Sequence, residues 1–203
     1  MTDLDRSARE ALARAALQIA RDKPWRETTL PDLAAAAGRK VEDLYPATLA
    51  DAADAAEELF DRAMAADVIA VDLTQTVRDR LFDCVMKRFE AMEPHRLAIL
   101  AMEVGQDRDP TALAAQHQRH VRAAKWALSL CGLDADYMSG QARAQGLAVI
   151  IGQARAAWRG DEAGDFAKTM ASLDKNLRRA EEMFGRFAGF NAKRAEAEAG
   201  GAA

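Results

Sequence analysis

Apolar side chains recur at every third or fourth position along most of the chain, which is the spacing of one face of an α-helix. The first such stretch carries Leu12, Ala16, Ile19 and Ala20, and Lys23-Pro24 stops it. The one β-rich run, Val149-Ile150-Ile151, stands in the middle of a helical pattern. The sequence therefore predicts an all-α protein of about nine helices, with the short ones first.

Residues that favour helix ends divide this pattern into segments. The predicted starts are Thr29 with Pro31 in the first turn, Thr48, either Asp72 or Thr74, Asp109-Pro110, either Asp134 or Asp136, and Asp165; the predicted ends include Ala66, Glu93, Gly132 and Arg159. The last residues, 191–203, have no apolar face, so we expect a disordered tail there. The predicted units are 1–48, 49–190 and that tail.

Residues 25–45 have the outline of a helix-turn-helix motif. A short helix begins after Thr29, Gly38 supplies the turn, and a second short helix is predicted near Val41 to Tyr45, where Pro46 ends it. In DNA-binding proteins the second helix of this motif enters the major groove. The outline therefore predicts contact with duplex DNA.

The charge of the same region opposes that prediction. Residues 1–66 hold nine Lys or Arg and thirteen Asp or Glu, whereas residues 67–203 hold nineteen of each, so the net charge of −4 comes from the first region. Glu42 and Asp43 begin the expected recognition helix, and carboxylates there repel phosphates and reduce counterion release. One acid at this place can instead accept a hydrogen bond from a cytosine amino group.

Cysteine usage and segment lengths favour a cytoplasmic protein. Cys84 and Cys131 stand inside apolar helical patterns, where we expect reduced, buried thiols acting as small hydrophobes. No run approaches the roughly 20 apolar residues that span a bilayer, and Asp3, Asp5 and Arg6 interrupt any signal peptide. We expect no integral membrane association.

The motif from Trp25 to Gly38, Trp-Arg-Glu-Thr-Thr-Leu-Pro-Asp-Leu-Ala-Ala-Ala-Ala-Gly, together with Leu44-Tyr45, resembles the amino-terminal segment of TetR-family regulators. The resemblance implies a three-helix DNA-binding domain, a connecting helix and a larger helical domain for ligand binding and dimerisation. It carries over four residues as phosphate contacts: Thr29, Arg39, Lys40 and Tyr45.

The second half of the chain is similar to another family with the TetR fold, the lipid-binding accessory proteins of ubiquinone biosynthesis. The stretches that carry this similarity are Val77 to Leu81, Glu93-Pro94-His95-Arg96, and Trp158-Arg-Gly-Asp-Glu with Phe166 to Asp174. This resemblance implies a hydrophobic pocket for an isoprenoid or phospholipid tail and no dependence on DNA. The family's aromatic run and its amphipathic carboxyl-terminal helix are absent here.

Methionine and aromatic side chains in the middle helices suit either an ordinary core or an apolar ligand pocket. For a pocket we expect Phe82, Met86, Phe89, Met102, Trp126, Met138 and Trp158.

Glycines on the penultimate helix, Gly140, Gly146 and Gly152, alternate with alanines and predict close helix packing. A homodimer interface with the last helix would use Gly146, Ile150, Met170 and Leu177; packing inside one chain is the alternative.

Features that support catalysis or metal binding are few. His117 and His120 share a helix face but have no evident third ligand, so we predict no metal site. The sequence has no nucleophile elbow and no phosphate-binding glycine loop, so we expect neither an enzyme nor a cofactor. The leading hypothesis is a ligand-responsive, homodimeric TetR-type regulator that binds duplex DNA and a small apolar or lipid-like ligand. The alternative is a TetR-fold lipid-binding accessory protein with a degenerate DNA-binding element.

Overall fold

The computed structural model describes residues 6–66, 68, 71–72, 74–104, 109–162 and 164–200, with side chains described as far as 183. Those residues form helices and no strand. The α-helices are α1 (Arg6–Asp22), α2 (Leu30–Ala36), α3 (Leu49–Ala63), α4 (Val77–Met92), α5 (Arg96–Glu103), α6 (Pro110–Leu130), α7 (Met138–Arg159) and α8 (Ala167–Gly200). Single 3-10 turns cover Trp25–Glu27, Val41–Leu44 and Glu93–His95. The all-α prediction is confirmed.

The short helices pack on the larger bundle through α1. This helix buries Leu12, Ala16 and Leu17 against α3 and α5, and α2 rests on it through Leu33. In the larger part, α7 packs between α6 and α8, and α4 contacts α3 and α8. One continuous apolar core connects the two parts, so α3 belongs to both.

Most predicted helix ends agree with the structure. The Thr29 and Thr48 side chains each accept a hydrogen bond from a backbone amide three residues on, and Asp32 and Asp51 complete the two capping boxes. Asp109 caps α6 at Thr111. Gly132 follows α6 with φ +75°, a left-handed conformation that glycine adopts without strain.

Two predicted starts were wrong because nearby polar groups bond to each other. Asp72 accepts hydrogen bonds from the amide and hydroxyl of Thr74, which holds a turn, and α4 begins after Thr76. Asp134 likewise accepts from the amides of Asp136 and Tyr137, so α7 begins at Met138. At the other end of the chain, the α8 backbone runs to Gly200, through most of the segment 191–203 that we predicted to be disordered.

The predicted second helix of the helix-turn-helix is not an α-helix. Val41–Leu44 is one 3-10 turn of four residues. Tyr45 follows in an extended conformation, φ −60° and ψ 135°, which is the conformation that a residue before proline prefers. Pro46 therefore leaves too few residues for an α-helix between the Gly38 turn and α3.

No helix among the described residues is both long enough and apolar enough to cross a bilayer.

Candidate functional site

The surface that the sequence analysis predicted to contact DNA includes the segment from Gly38 to Pro46, which we call the N-terminal turn. Gly38 has φ +63° and reverses the chain after α2. Leu44 is buried and anchors the turn to the core, whereas Val41 is 46% and Tyr45 83% exposed. An apolar and an aromatic side chain thus stand out on a short segment that is fixed from below.

Three of the four predicted phosphate contacts, Arg39, Lys40 and Tyr45, lie on this turn, whereas Thr29 stands at the opposite end of α2. Thr29 is exposed, but its hydroxyl is engaged in the cap of α2, where it donates to Asp32 at 2.8 Å. Arg39 reaches the Ser7 hydroxyl at 3.4 Å. Lys40 is exposed, and its Nζ lies 3.2 Å from the Glu42 carboxylate. Tyr45 is the most accessible of the four.

Carboxylates neutralise much of this positive charge. Glu42 pairs with Lys40, and Asp43 accepts a hydrogen bond from the Lys40 amide. At the start of α2, Lys23 and the Thr29 cap lower the pKa of Asp32 to about 2, so this carboxyl is ionised at neutral pH. Lys40, one of the two cations on the turn, therefore already has anionic neighbours, whereas the contact given for Arg39 is to a neutral hydroxyl.

The larger domain contains a contrasting arrangement, which we call the buried charge cluster: Glu57, Asp61, Arg88, Glu103 and Arg155. Arg88 is 0% and Arg155 2% exposed. Both guanidinium groups bind Glu57, Arg155 at 2.8 Å, and Arg88 also donates to Asp61 at 2.8 Å. Arg155 donates to Glu103 at 2.6 Å. The cluster joins α3, α4, α5 and α7.

The arginines decide the charge of the buried carboxyls. Burial alone would raise the pKa of Glu57, but Arg155 and Arg88 outweigh burial and hold this pKa well below its usual range. Burial dominates at Asp61 and raises its pKa despite the contact with Arg88. Glu57 is therefore the anionic centre that compensates two desolvated cations.

His120 on α6 stands next to this cluster. Its Nε2 lies 3.0 Å from the Gln116 amide nitrogen, and the ring sits against Gly152 of α7, where an added Cβ would lie 3.2 Å from Nδ1. Burial, followed by the charges of Arg88 and Arg155, lowers the pKa of His120 to about 3. The imidazole is neutral at physiological pH. His117 contacts Gln145 instead, and no group of metal-ligating side chains forms among the described residues.

Among the described residues, one cavity lies within the larger domain and a smaller one lies where that domain meets Leu17 of α1. The smaller has a volume of about 20 Å³, lies beside Glu57, Glu103 and Arg155, and has room for about one water molecule. The larger has a volume of about 230 Å³ and is lined by Met64, Val68, Val71, Asp72, Gln75, Arg80, Asp83, Cys84, Lys87, Leu130 and Cys131. Its lining mixes apolar side chains with two cations and two carboxylates.

The residues predicted for a ligand pocket do not meet around either cavity, except that Met102 lines the smaller one. Met86, Phe89 and Trp158 are core residues, and Phe82 is half-buried against the core. Trp126 is 40% and Met138 90% exposed. The lining of the larger cavity comes from segments to which the sequence analysis assigned no ligand.

The four predicted dimer residues divide into two pairs. Ile150 and Leu177 are buried inside the subunit. Gly146 and Met170 are exposed, and a Cβ built on Gly146 would meet nothing within 4 Å. Gly140 differs, because a Cβ there would lie 2.7 Å from the Ala135 backbone. Gly140 therefore allows close packing inside the chain, whereas Gly146 lies on an open face of α7.

Motifs that carried the second resemblance meet in space and hold the bundle together. The Trp158 indole donates to Glu93 at 2.7 Å, and the Arg96 guanidinium stacks 4.6 Å from the Trp158 ring centre. Asp161 accepts from the amide and hydroxyl of Thr169, both at 3.0 Å. These contacts explain the motif residues by packing and hydrogen bonding without a lipid.

Comparison with solved structures assigns the architecture. A TetR transcriptional regulator from Nitrosomonas europaea ATCC 19718 superposes with a TM-score of 0.65 and 19% identity over 85% of this chain and 97% of that one. A TetR transcriptional regulator from Rhodococcus sp. RHA1 gives a TM-score of 0.62 and 13% identity, covering 85% and 94%. The chain has the TetR-regulator fold. No protein-family model and no curated protein matches the sequence.

Within that TetR fold, sequence reasoning missed the buried charge cluster. Its members stand in amphipathic segments where Arg and Glu ordinarily face water. The sequence does contain one signal for it, because α3 carries acidic residues at helical spacing: Asp54, Glu57, Glu58 and Asp61. In the structure each of these carboxylates forms a salt bridge with an arginine of another helix.

Proposed function

We propose that this chain is a homodimeric transcriptional regulator of the TetR type that contacts duplex DNA through the N-terminal turn. The observation that carries the proposal is the exposed Tyr45 beside Arg39 and Lys40 on a turn fixed by buried Leu44. An exposed aromatic ring and two cations on a rigid loop suit contact with a sugar–phosphate backbone. Both structural neighbours are transcriptional regulators by name, which supports the same assignment.

The missing recognition helix limits what such a contact can read. A single 3-10 turn is shorter than the helix that places several side chains along base edges in the major groove. Phosphate contacts position a protein on DNA without sequence information. The proposed mode is therefore dominated by phosphate contacts, with affinity that depends strongly on salt.

The proposed dimer uses the open face of α7 and the start of α8. Val149 is 51% and Met170 39% exposed, and Gly146, three residues before Val149 on α7, leaves space for close approach of a second helix. We expect Val149→Arg to convert dimer to monomer in light scattering after gel filtration. Ser129→Arg, on the exposed side of α6, is the matched control; equal behaviour of the two variants would contradict this interface.

Ligand responsiveness is also part of the proposal. The larger cavity lies beside Met64, the residue directly after α3, and α3 packs on α1 of the N-terminal unit. A small ligand there would act on the spacing of the two N-terminal turns through α3. The cavity volume of about 230 Å³ lies below the range of about 300–1,000 Å³ that is typical of pockets for drug-sized ligands, so the effector should be small.

Fluorescence anisotropy with labelled genomic duplexes tests the DNA contact. If Arg39 and Lys40 of two copies meet phosphates, four contacts give a slope of log affinity against log salt of about −3.6. Lys40→Ala should reduce the slope to about −1.8. Lys175→Ala, an exposed lysine on α8, is the control and should leave it unchanged. No measurable binding at low salt would refute the proposal.

The second candidate is a TetR-fold accessory protein that binds an isoprenoid or other lipid. The one-turn recognition segment, with Glu42 and Asp43 at its start, favours this candidate. Purified protein extracted with organic solvent should then yield a stoichiometric lipid in mass spectrometry and show no DNA affinity. If the purified protein contains no lipid and binds DNA in a salt-dependent manner, this second candidate is refuted.

A further inference from the structure

The larger cavity offers a ligand both apolar and charged side chains. It is lined by the segment between α3 and α4, by α4 itself and by the end of α6. The apolar part of the lining consists of Met64, Val68, Val71, Cys84, Leu130 and Cys131. Both cysteines are free and buried, as the sequence predicted. The charged part of the lining consists of Asp72, Arg80, Asp83 and Lys87.

The two cations of this lining have neutral partners in the described part of the chain. Arg80 donates to three backbone carbonyls, among them those of Gln75 at 2.7 Å and Cys131 at 3.3 Å. Lys87 donates to the Ala66 carbonyl at 2.6 Å, and the Nε of Arg80 is buried with no hydrogen-bond partner among the described residues. The arginines of the buried charge cluster differ, because each of them binds a carboxylate. Carbonyl oxygens satisfy donors without cancelling their charge, so both cations of the cavity keep the capacity to bind an anion.

A carboxylate stands between these cations on α4. Asp83 follows Arg80 by three residues and precedes Lys87 by four, so the three side chains share one face of the helix. Asp83 is exposed, and no hydrogen bond or salt bridge engages it within the described ranges. The other acid of the lining, Asp72, already accepts hydrogen bonds from the amide and hydroxyl of Thr74. The cavity therefore presents two cations and one carboxylate to a ligand.

We propose that the larger cavity binds a free α-amino acid with an apolar side chain. Arg80 and Lys87 bind its carboxylate, Asp83 binds its ammonium group, and the apolar lining holds its side chain. A simple carboxylic acid brings a second anion to Asp83, and a simple amine brings a third cation to Arg80 and Lys87; like charges brought together weaken binding. A cavity of about 150 Å³ accepts benzene, so a volume of about 230 Å³ has room for an aromatic or branched side chain with its amino and carboxylate groups.

The assignment rests on the ligand responsiveness proposed above and narrows it to a zwitterionic effector. Arg80 holds the carbonyls of Gln75 and Cys131, which joins the segment before α4 to the end of α6. Val71 of the same segment packs on Gly132, where an added Cβ would lie 3.3 Å from the Val71 side chain. A bound carboxylate competes for the Arg80 donors, so it acts on the connection through which α3 continues into α4.

Calorimetric titration of the full chain without DNA tests the assignment with matched probes. L-phenylalanine carries both charged groups, hydrocinnamate lacks the amino group, and phenethylamine lacks the carboxylate. We expect L-phenylalanine to bind at least about tenfold more tightly than either analogue. Equal affinity for L-phenylalanine and hydrocinnamate would overturn the assignment, and so would a chain that binds neither L-phenylalanine nor L-leucine at millimolar concentration.

A charge variant assigns the ammonium site. Asp83→Asn should abolish the preference for L-phenylalanine over hydrocinnamate, because the ammonium group loses its counter-ion. Glu90→Gln, at an exposed carboxylate of α4 outside the cavity lining, is the matched control and should keep the preference. A full preference in Asp83→Asn would overturn the role of Asp83. The comparison of probes on the unmodified chain stands even if a variant fails to fold.

DNA affinity measured with and without L-phenylalanine separates this inference from the proposed function. DNA binding by a chain that takes up no amino acid would overturn the inference and leave the regulator proposal intact. Selective amino-acid binding by a chain without DNA affinity would support the site and refute the regulator.

Discussion

The N-terminal turn and the buried charge cluster use the same residue types in opposite ways. In the turn, Lys40 and Glu42 pair within two residues of each other, and both side chains are more than 70% exposed. In the cluster, Arg88 and Arg155 bind Glu57 across 31 and 98 residues of sequence with almost no exposure. Exposed pairs contribute little to stability, whereas breaking a buried pair leaves an uncompensated charge.

This difference separates residues that hold the fold from residues that are free to meet a partner. The cluster connects four helices, and the cavity beside it has a volume of only about 20 Å³. The turn contributes only Leu44 to the core, and the remainder is exposed except for half-buried Arg39. Substitutions in the cluster should therefore affect stability, and substitutions in the turn should affect binding.

The largest expected effect comes from removing one cation of the cluster. Arg88→Met leaves Glu57 and Asp61 with fewer donors in a dry environment, which should lower the free energy of unfolding by about 3–5 kcal/mol. Lys40→Met in the turn should change it by no more than about 0.5 kcal/mol. Urea denaturation of both variants checks this; similar losses would contradict the distinction between the two regions.

A pH dependence should follow from His120, whose pKa of about 3 in the folded chain compares with about 6.5 in the unfolded chain. Its contribution is fully present above pH 6.5 and declines as pH falls toward 3, because the unfolded chain then binds a proton that the folded chain does not. The slope between pH 6 and 5 approaches about 1.4 kcal/mol per unit. His120→Gln should flatten the profile measured by urea denaturation.

His117→Gln on the same helix is the control for that profile, since its side chain contacts Gln145 and lies outside the cluster. If the pH profile of stability flattened equally in both variants, the pH dependence would not come from His120 in particular.

A smaller effect is expected at the start of α2, the helix that precedes the turn. Thr29→Ala removes the cap of α2 and should cost about 1 kcal/mol, and Thr29→Ser should restore most of it. Thermal denaturation at neutral pH measures both. If Thr29→Ala lowered DNA affinity without any loss of stability, the hydroxyl would serve a phosphate and not the cap.

Local signals in the sequence predicted the helices well. Each of these signals acts through contacts within a few residues, so the helix ends can be predicted from the local sequence alone. The signals are the capping boxes at Thr29 and Thr48, the Asp109-Pro110 start and Gly132. The starts of α4 and α7 were missed because two candidate caps bonded to each other instead. The 3-10 turn was missed because Pro46 restricts Tyr45 as well as ending the segment.

The candidate sites depend on contacts that sequence spacing does not reveal. Cys84 and Cys131 each fit an apolar helical face, and nothing in that pattern indicates that they line the same cavity. The same holds for Trp158 and Glu93, 65 residues apart. The residues predicted as one ligand pocket shared a composition suited to cores, and the structure distributes them between the core and the surface.

The most direct test of the account is the DNA affinity of Glu42→Gln across a range of salt concentrations. The substitution removes a carboxylate from the N-terminal turn and releases Lys40 from its pair, while urea denaturation should show a change of no more than about 0.5 kcal/mol. We predict DNA affinity at low salt that rises at least about threefold over the unmodified chain, with a difference that vanishes as salt increases. An unchanged or lower affinity would contradict the assignment of the N-terminal turn as the DNA-contacting surface.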